Sequence, residues 1–232
     1  GIAPVGKKRI SDKGEKRIKI RYLGHSCFQL TSQNGTCVVT DPYTKVGYEL
    51  PKHLWADLIT VSHGHFDHNY TQALGNEPII DKAGKYSFNH VRITGIDSWH
   101  DEKQGALRGG NVIYKIRMDG ITFCHLGDVG EPCLAELVEK IGNVDILLVP
   151  VGGTYTIDAL GAKAYADAIR PKKVIPMHYK PTDGKMDITS AEPFLALYNS
   201  EEIKRVPSGE LEISLSDLDG GEKIIYMERV KE

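Results

Sequence analysis

The segment His63-Gly64-His65-Phe66-Asp67-His68 carries the side chains in this chain that are best suited to chemistry. Three imidazoles and one carboxylate fall within six consecutive residues. Imidazole nitrogen and carboxylate oxygen are ligands that Zn²⁺ and similar divalent transition metals take in proteins. An isolated histidine is usually a core or surface residue, but four ligand-type side chains this close together predict a metal site.

Predicted strands position this cluster and the other candidate ligands. The apolar run over residues 57–62 is typical of a buried strand, so the cluster begins where that strand opens into a loop. Rigid strand ends can aim side chains at a common site. The other candidates at predicted strand ends are His25, Asp41, His100, His125, Asp128 and His178. Asp67 has a second interpretation as the N-cap of a short helix over residues 69–74.

The remaining pattern predicts a layered domain. The turn signals Asn34-Gly35 and Asp119-Gly120 predict two hairpins, the first with Cys37 opposite Ser32. Asp158 is the expected N-cap of a helix. Strands come first and then alternate with helices, which indicates two sheets between helical layers. Predicted helices cover residues 131–141, 158–169 and 189–198, and two final strands fall near residues 210–215 and 223–228.

Composition is that of an ordinary globular protein. The 232 residues are 41% hydrophobic and 26% charged, and the longest apolar run, 146–151, is far too short to cross a bilayer. Lys and Arg are concentrated near the start of the chain. We therefore expect a basic N-terminal arm over residues 1–16, for which disorder is one expectation, followed by a single domain over residues 17–232. A start at Gly1 rather than Met fits a tag remnant or a removed signal peptide, so a cytoplasmic and an exported protein are both open, as is the oligomeric state.

The motif His63-x-His65-x-Asp67-His68, with the turns Gly127-Asp128 and Pro176-Met177-His178, resembles the metallo-β-lactamase fold superfamily. The segments 24–28, 40–42 and 149–153 are similar to one branch, which includes ascorbate-6-phosphate lactonases and N-acyl-phosphatidylethanolamine phospholipase D. The resemblance covers about residues 18–215. It implies a four-layer αββα sandwich, an α/β fold that serves many chemistries.

The resemblance also implies a dinuclear centre of two divalent metal ions, with Zn²⁺ as the first expectation and Mn²⁺ or Fe as alternatives. Asp128 would bridge the ions together with a water or hydroxide. His125 competes with His100 for one ligand position and is otherwise a candidate proton donor, with Tyr155 and Tyr179. The implied ligands are His63, His65 and His100 for the first ion, and Asp67, His68 and His178 for the second.

The residues expected to act around these ions have separate roles. Asp67, Asp128 and His125 are the candidate catalytic residues. His25 and Asp41 are expected to hydrogen-bond the ligands from behind, because ligating histidines usually donate their second nitrogen to such a partner. Arg108 or Lys180 is the candidate contact for an anionic substrate group.

The implied activity is hydrolysis of an ester, lactone or phosphodiester bond in a small molecule, since two cations that share a hydroxide supply a nucleophile near neutral pH. Asp128 stands where true β-lactamases often use Cys, which argues against lactam hydrolysis. Two alternatives remain open. One is a nucleic-acid processing nuclease of the same fold, supported only by the basic arm, so nucleic acid is disfavoured as a partner. The other is a non-hydrolytic metalloprotein.

Overall fold

A computed structural model describes residues 14–75 and 77–232. Most of the arm expected over residues 1–16 therefore lies outside the described residues. The first strand begins at Ile18, and within the described residues the chain forms fourteen strands, three α-helices and three short 3₁₀ turns. No helix in these ranges has the length and apolar character needed to cross a bilayer.

Along the chain, nine strands come first, and the α-helices are then interspersed with the remaining strands. The strands are β1 (Ile18–Gly24), β2 (Cys27–Thr31), β3 (Cys37–Thr40), β4 (Leu58–Thr60), β5 (Ile79–Ile80), β6 (Gly84–Phe88), β7 (Val91–Trp99), β8 (Gly110–Met118), β9 (Ile121–His125), β10 (Ile146–Pro150), β11 (Lys173–Met177), β12 (Ile203–Val206), β13 (Glu210–Ile213) and β14 (Ile224–Met227). The α-helices are α1 (Ala135–Ile141), α2 (Ala159–Ile169) and α3 (Glu192–Leu195). The 3₁₀ turns lie at Thr71–Ala73, Ser200–Glu202 and Leu215–Leu218.

These strands form two mixed sheets. The six-stranded sheet has the order β13-β1-β2-β3-β4-β5, and the eight-stranded sheet has the order β12-β14-β11-β10-β9-β8-β7-β6. Strands β3, β4 and β5 are parallel in the first sheet, and β9, β10 and β11 are parallel in the second. Parallel strands end at the same edge of their sheet, so the loops that follow them gather there.

The facing sides of the two sheets share one hydrophobic core. Ile20 and Phe28 of the six-stranded sheet belong to the same buried cluster as Tyr114 and Leu147 of the eight-stranded sheet. Full burial of one such side chain contributes about 1.5–3 kcal/mol, so a core of this size holds the sheets in a fixed relation. Helices α1 and α2 contact β7 and β10 of the eight-stranded sheet. Two sheets, with helices packed on the eight-stranded one, confirm the predicted α/β sandwich.

The other face of the six-stranded sheet is buried as well. Cys37 and Val39 point into a second cluster, whereas Val38 between them points into the main core, as the pleat of a strand requires. Tyr43 and Leu54 cover the second cluster. Both belong to an irregular segment that follows β3 and returns to β4, and this segment also leads to the site described below.

Two predicted helices are shorter in the structure because tertiary contacts hold their first residues in another conformation. Helix α1 begins at Ala135 rather than near residue 131, and the Tyr165 hydroxyl donates to the Glu131 carbonyl at 2.9 Å. Helix α3 begins at Glu192 rather than at Thr189, whose N–H donates to the Gly152 carbonyl. Helix α2 matches its prediction.

Two hairpin predictions had different outcomes. The β8–β9 hairpin is confirmed, with Met118 paired with Ile121. The β2–β3 hairpin exists, but Thr31 rather than Ser32 is opposite Cys37, because Ser32 donates its N–H to the Thr36 carbonyl. The expected two-residue turn is therefore wrong by one residue in register.

Candidate metal centre

Strand ends from both sheets bring the predicted site residues to one edge of the sandwich. On the six-stranded sheet, His25 follows β1, Asp41 follows β3 and the segment 63–68 follows β4; on the other sheet, His100 follows β7, Asp128 follows β9 and His178 follows β11. The backbone of His25, Asp41 and His178 has φ of 52°, 40° and 52°, a region that costs energy for residues other than glycine. Such strain clusters at functional sites.

His63, His65 and His100 form the first group of ligand-type side chains, called here the outer group. One ring nitrogen from each lies within 4.8 Å of the corresponding atoms of the others. His65 is exposed and His100 is buried, so the group reaches from the interior to the surface. Three imidazole nitrogens in this arrangement are a ligand set typical of Zn²⁺.

His25, Asp67, His68 and His178 form the second group, called here the inner group. Their ligand atoms also lie within 4.8 Å of one another, and all four side chains are buried. His25 Nε2 is 2.9 Å from Asp67 Oδ2 and donates a hydrogen bond to it. The 3₁₀ turn at Thr71–Ala73 has no side-chain cap, so Asp67 is not the helix N-cap that its position also allowed.

Asp128 lies between the two groups. Its Oδ2 atom is 3.3 Å from His63 Nε2 and 3.1 Å from His100 Nε2 in the outer group. The same oxygen is 3.0 Å from His68 Nε2, and Oδ1 is 3.2 Å from His178 Nε2 in the inner group. One carboxylate therefore contacts ligand atoms of both groups.

These contacts are short, but they leave buried polar atoms unsatisfied. Several of these buried atoms lack a hydrogen-bond partner of acceptable geometry among residues 14–75 and 77–232: Nε2 of His63, His68, His100 and His178, and Oδ1 of Asp128. Buried polar atoms in proteins nearly always have a hydrogen-bond partner, so a cluster of unsatisfied atoms requires an explanation. Ligands that share an ion about 2.0–2.1 Å away in tetrahedral geometry lie about 3.3 Å apart. The residues present therefore fit a metal ion.

Three buried carboxylates dominate the electrostatics of the centre. Burial alone would raise the pKa of Asp41, Asp67 and Asp128, but the surrounding imidazoles lower the pKa of all three. Burial and the neighbouring His68 lower the pKa of His63 to about 4, which keeps this imidazole neutral, the form that binds metals. His68 itself is surrounded by carboxylates, which raise its pKa well above the usual value despite its burial. The centre thus favours a positive charge at its middle.

Asp41 contacts both groups from behind. His68 Nδ1 lies 2.8 Å from Asp41 Oδ2, so Nδ1–H donates to the carboxylate and Nε2 faces Asp128. The Ser62 hydroxyl also donates to Asp41, at 2.5 Å, and lies 2.8 Å from His63 Nδ1. Because a hydroxyl has one proton, Ser62 Oγ accepts from His63 Nδ1–H, which leaves His63 Nε2 free to bind an ion. Sequence reasoning identified Asp41 as a supporting residue but missed Ser62.

Comparison with known proteins agrees with this fold. The sequence profile of the β-lactamase superfamily domain matches residues 19–178. A protein from Carboxydothermus hydrogenoformans described as a metal-dependent hydrolase is 30% identical over 193 residues, which cover 70% of this chain and 84% of that protein. A similarly described protein from Thermococcus onnurineus is 28% identical over 193 residues, with the same coverage of both chains.

One solved structure extends the similarity to nearly the whole chain. It is a candidate zinc-dependent hydrolase of the metallo-β-lactamase superfamily from Thermotoga maritima, with 37% identity and a TM-score of 0.74, and the match covers 92% of this chain and 100% of that one. The chain belongs to the metal-dependent hydrolases of the metallo-β-lactamase superfamily. Its two sheets thus form the predicted α/β sandwich of the metallo-β-lactamase type.

In this metallo-β-lactamase fold, His125 does not join either group. It is fully buried, its Nε2 lies 2.8 Å from the Ser26 carbonyl, and its Nδ1 accepts the Gly127 N–H at 3.1 Å. Both ring nitrogens are therefore used by the backbone. The assignment of His125 as a catalytic proton donor is corrected, since it has no nitrogen left for the substrate. It is His100 that lies beside His63 and His65.

A cleft of about 570 Å³ opens onto the centre of this superfamily member. Its floor includes Asp67 and Asp128, and its walls include Phe66, Arg108 and Tyr155. The other residues predicted for substrate contact or proton donation are elsewhere. The Tyr179 hydroxyl donates to the Met227 carbonyl at 2.5 Å in the interior, and Lys180 does not line the cleft.

Asn111 is a further supporting residue that sequence reasoning missed. Its Oδ1 accepts the Asp128 N–H at 2.9 Å, and its Nδ2 donates to the Leu126 carbonyl at 3.0 Å, so it fixes the turn that carries Asp128. Gly127 in this turn has φ of 59°, and a Cβ there would collide with Asn111 and Ser62. The Gly127-Asp128 pair indicated the turn from sequence. No pattern in the residues around Asn111 indicated that it would hydrogen-bond Asp128.

Proposed function

We propose that this protein hydrolyses an ester, lactone or phosphodiester bond of a small molecule at a centre of two divalent metal ions. The observation that carries the proposal is the position of Asp128, whose carboxylate lies 3.0–3.3 Å from two separate groups of ligand atoms. A carboxylate between two ligand sets is suited to bridging two ions. Its buried Oδ1 atom supports the same role, since it has no hydrogen-bond partner in the part of the chain that the structure describes.

The donor set favours zinc. His63, His65 and His100 would hold one ion, Asp67, His68 and His178 the other, and Asp128 both. Imidazole-rich sites suit Zn²⁺, with Mn²⁺ or Fe as alternatives, and the similar Thermotoga maritima protein is described as zinc-dependent. When bound, two such ions supply a water-derived nucleophile near neutral pH and polarise the bond under attack.

The chain's own residues would orient the reactants. Asp67 lies at the floor of the cleft with His25 donating to its Oδ2 atom, so its carboxylate is fixed and can accept a hydrogen bond from the attacking water. Tyr155 lines the cleft and is partly exposed, which makes its hydroxyl the candidate proton donor for the leaving group. Residues 17–232 would work as one domain, because the two sheets share a single core.

The test combines metal content with a substrate panel. Protein purified without chelators and then supplied with Zn²⁺ should hold two equivalents by elemental analysis. It should hydrolyse at least one of p-nitrophenyl pentanoate, γ-butyrolactone and bis-p-nitrophenyl phosphate; a β-lactam and a single-stranded oligonucleotide complete the panel.

Asp128→Ala should lower metal content below one equivalent and reduce turnover roughly a thousandfold, since metal ions contribute several kcal/mol of transition-state stabilisation. Asp97→Ala, which removes an exposed carboxylate on β7, is the matched control and should change neither value. Metal well below one equivalent in the wild-type protein would overturn the dinuclear proposal. Turnover of the oligonucleotide alone would replace the small-molecule substrate with nucleic acid.

A further inference from the structure

The loop from Asp101 to Gly109 is organised around one buried carboxylate. Asp101 Oδ1 accepts the N–H groups of Lys103 and Gly105 at 2.8 and 2.9 Å, and Oδ2 accepts those of Leu107 and Arg108 at 3.0 and 2.7 Å. Burial would raise the pKa of Asp101, but these four hydrogen bonds lower it. The loop therefore has a fixed shape built around an ionised side chain.

This loop begins and ends at the metal centre. It follows His100 of the outer group directly, and the His100 N–H donates to the Gly109 carbonyl at 3.0 Å. Arg108 precedes Gly109, so its backbone is held next to that of a candidate ligand. Its side chain lines the cleft together with Asp67 and Asp128.

The Arg108 guanidinium has no anionic partner among the described residues. Its Cζ atom lies 5.7 Å from the centre of the Tyr155 ring, across the cleft wall, and no ion pair to a carboxylate forms within the described ranges. Asp101, the carboxylate at the centre of this loop, has both of its oxygens already occupied by backbone N–H groups. A half-buried guanidinium presents a rigid fork of N–H donors that matches carboxylate and phosphate oxygens.

We infer that Arg108 binds a second, anionic group of the substrate, a carboxylate or a phosphate, while the bond to be cleaved lies over Asp128. Among the described residues that line the cleft, Arg108 is the one Lys or Arg side chain, whereas Phe66 and Met186 are apolar. The substrate thus carries an oxyanion in addition to the reacting bond, and an apolar part that can contact Phe66 and Met186. The inference rests on the proposed function, because that function places the reacting bond at the centre.

The test uses equilibrium binding, so that it does not depend on turnover. Zn²⁺-loaded protein is titrated calorimetrically with succinate, glutarate and adipate, each against the monocarboxylate of equal length: butanoate, pentanoate and hexanoate. Phosphonoacetate against acetate tests a phosphate-like end in the same way. One anionic group of each probe can bind the metal ions. The second anionic group, which the monocarboxylates lack, therefore reports on the contact with Arg108.

The wild-type protein should bind at least one dianion about tenfold more tightly than its matched monoanion, the effect of one charge-assisted hydrogen-bonded pair. Arg108→Gln should reduce that ratio to about one with metal content unchanged. Arg108→Lys should keep part of it, because lysine keeps the charge but loses the fork. Arg117→Gln, at the far end of β8, is the matched control and should keep the full ratio.

Equal binding of every dianion and its monoanion by the wild-type protein would overturn the inference, as would a ratio that survives Arg108→Gln. Both results would leave the proposed function intact. Metal content below one equivalent in the wild-type protein would overturn the proposed function and this inference together. Metal content, turnover and binding ratio are measured separately, so the two failures are distinguishable.

Discussion

The outer and inner groups on either side of Asp128 differ in burial. The inner group is buried throughout, whereas the outer group includes the exposed His65. The inner group contains the carboxylate of Asp67, while the outer group contains imidazoles alone and depends on Asp128 for negative charge. The two groups therefore face different physical requirements. The buried inner group must balance its own charges before any ion binds, whereas the outer group must stay accessible to substrate.

The groups also differ in how the protein holds them. In the inner group, His68 hydrogen-bonds Asp41, Asp67 is held by His25, and the His178 N–H donates to the His25 carbonyl at 2.8 Å. In the outer group, His63 is held through Ser62, and the ring of His65 contacts the rings of its two partners. We therefore expect the inner group to contribute to the stability of the fold, and the outer group mainly to metal binding.

The largest expected contrast is in the stability of the metal-free protein. His68→Ala should lower the free energy of unfolding by about 3–5 kcal/mol, because the buried carboxylates of Asp41, Asp67 and Asp128 lose the imidazole that contacts all three. His65→Ala should change it by less than about 0.5 kcal/mol, as expected for an exposed side chain. Urea unfolding of both variants and the wild type at neutral pH measures the difference. Equal losses would remove the distinction between the groups.

A smaller effect, on Zn²⁺ affinity, is expected from Asp41, which supports ligands of both groups. Asp41→Asn should weaken Zn²⁺ binding at both sites by about a hundredfold, since Asp41 hydrogen-bonds His68 directly and His63 through Ser62. Competition with a chromogenic zinc chelator would resolve the two sites. Asp57→Asn, which changes a carboxylate that accepts the Cys37 N–H away from the centre, is the matched control. A loss confined to one site would contradict shared support.

The smallest expected effects are losses of Zn²⁺ affinity at one site only, from residues that support a single group. Ser62→Ala should weaken one zinc site about tenfold through His63, and His25→Gln should weaken the other about tenfold through Asp67. The same chelator competition, applied to the single variants and to the double variant, checks whether the losses fall on different sites. A loss of one full equivalent in His25→Gln would instead make His25 a ligand.

Local patterns predicted much of this architecture. The Asp158 side chain caps α2 by accepting the Gly161 N–H at 2.9 Å, as predicted from sequence. The hairpin at Asp119-Gly120 and the strand that delivers the His63–His68 segment also match, since their signals lie within a few residues of the structure they specify. The helix predicted from residue 189 is shorter because Thr189 hydrogen-bonds Gly152, a partner distant in sequence.

The choice between His100 and His125 shows where local patterns stop. Each lies at the end of a strand, and each has an imidazole that could bind a metal ion. His100 lies one residue beyond β7 and reaches the edge, whereas His125 is the last residue of β9 and its ring points between the sheets toward Ser26. The direction of a side chain at a strand end depends on where pairing stops and on the pleat, and a shift of one residue reverses it.

By itself the sequence determined the kind of chemistry and the segments that carry it, because ligand type and close spacing are properties of a few neighbouring residues. The tertiary structure decided which side chains meet. Asp128 lies between two groups, Ser62 and Asn111 support them, and Arg108 lines the cleft only because six strand ends from two sheets converge on one edge. That convergence depends on strand order and register, which packing of the shared core fixes over long sequence separations.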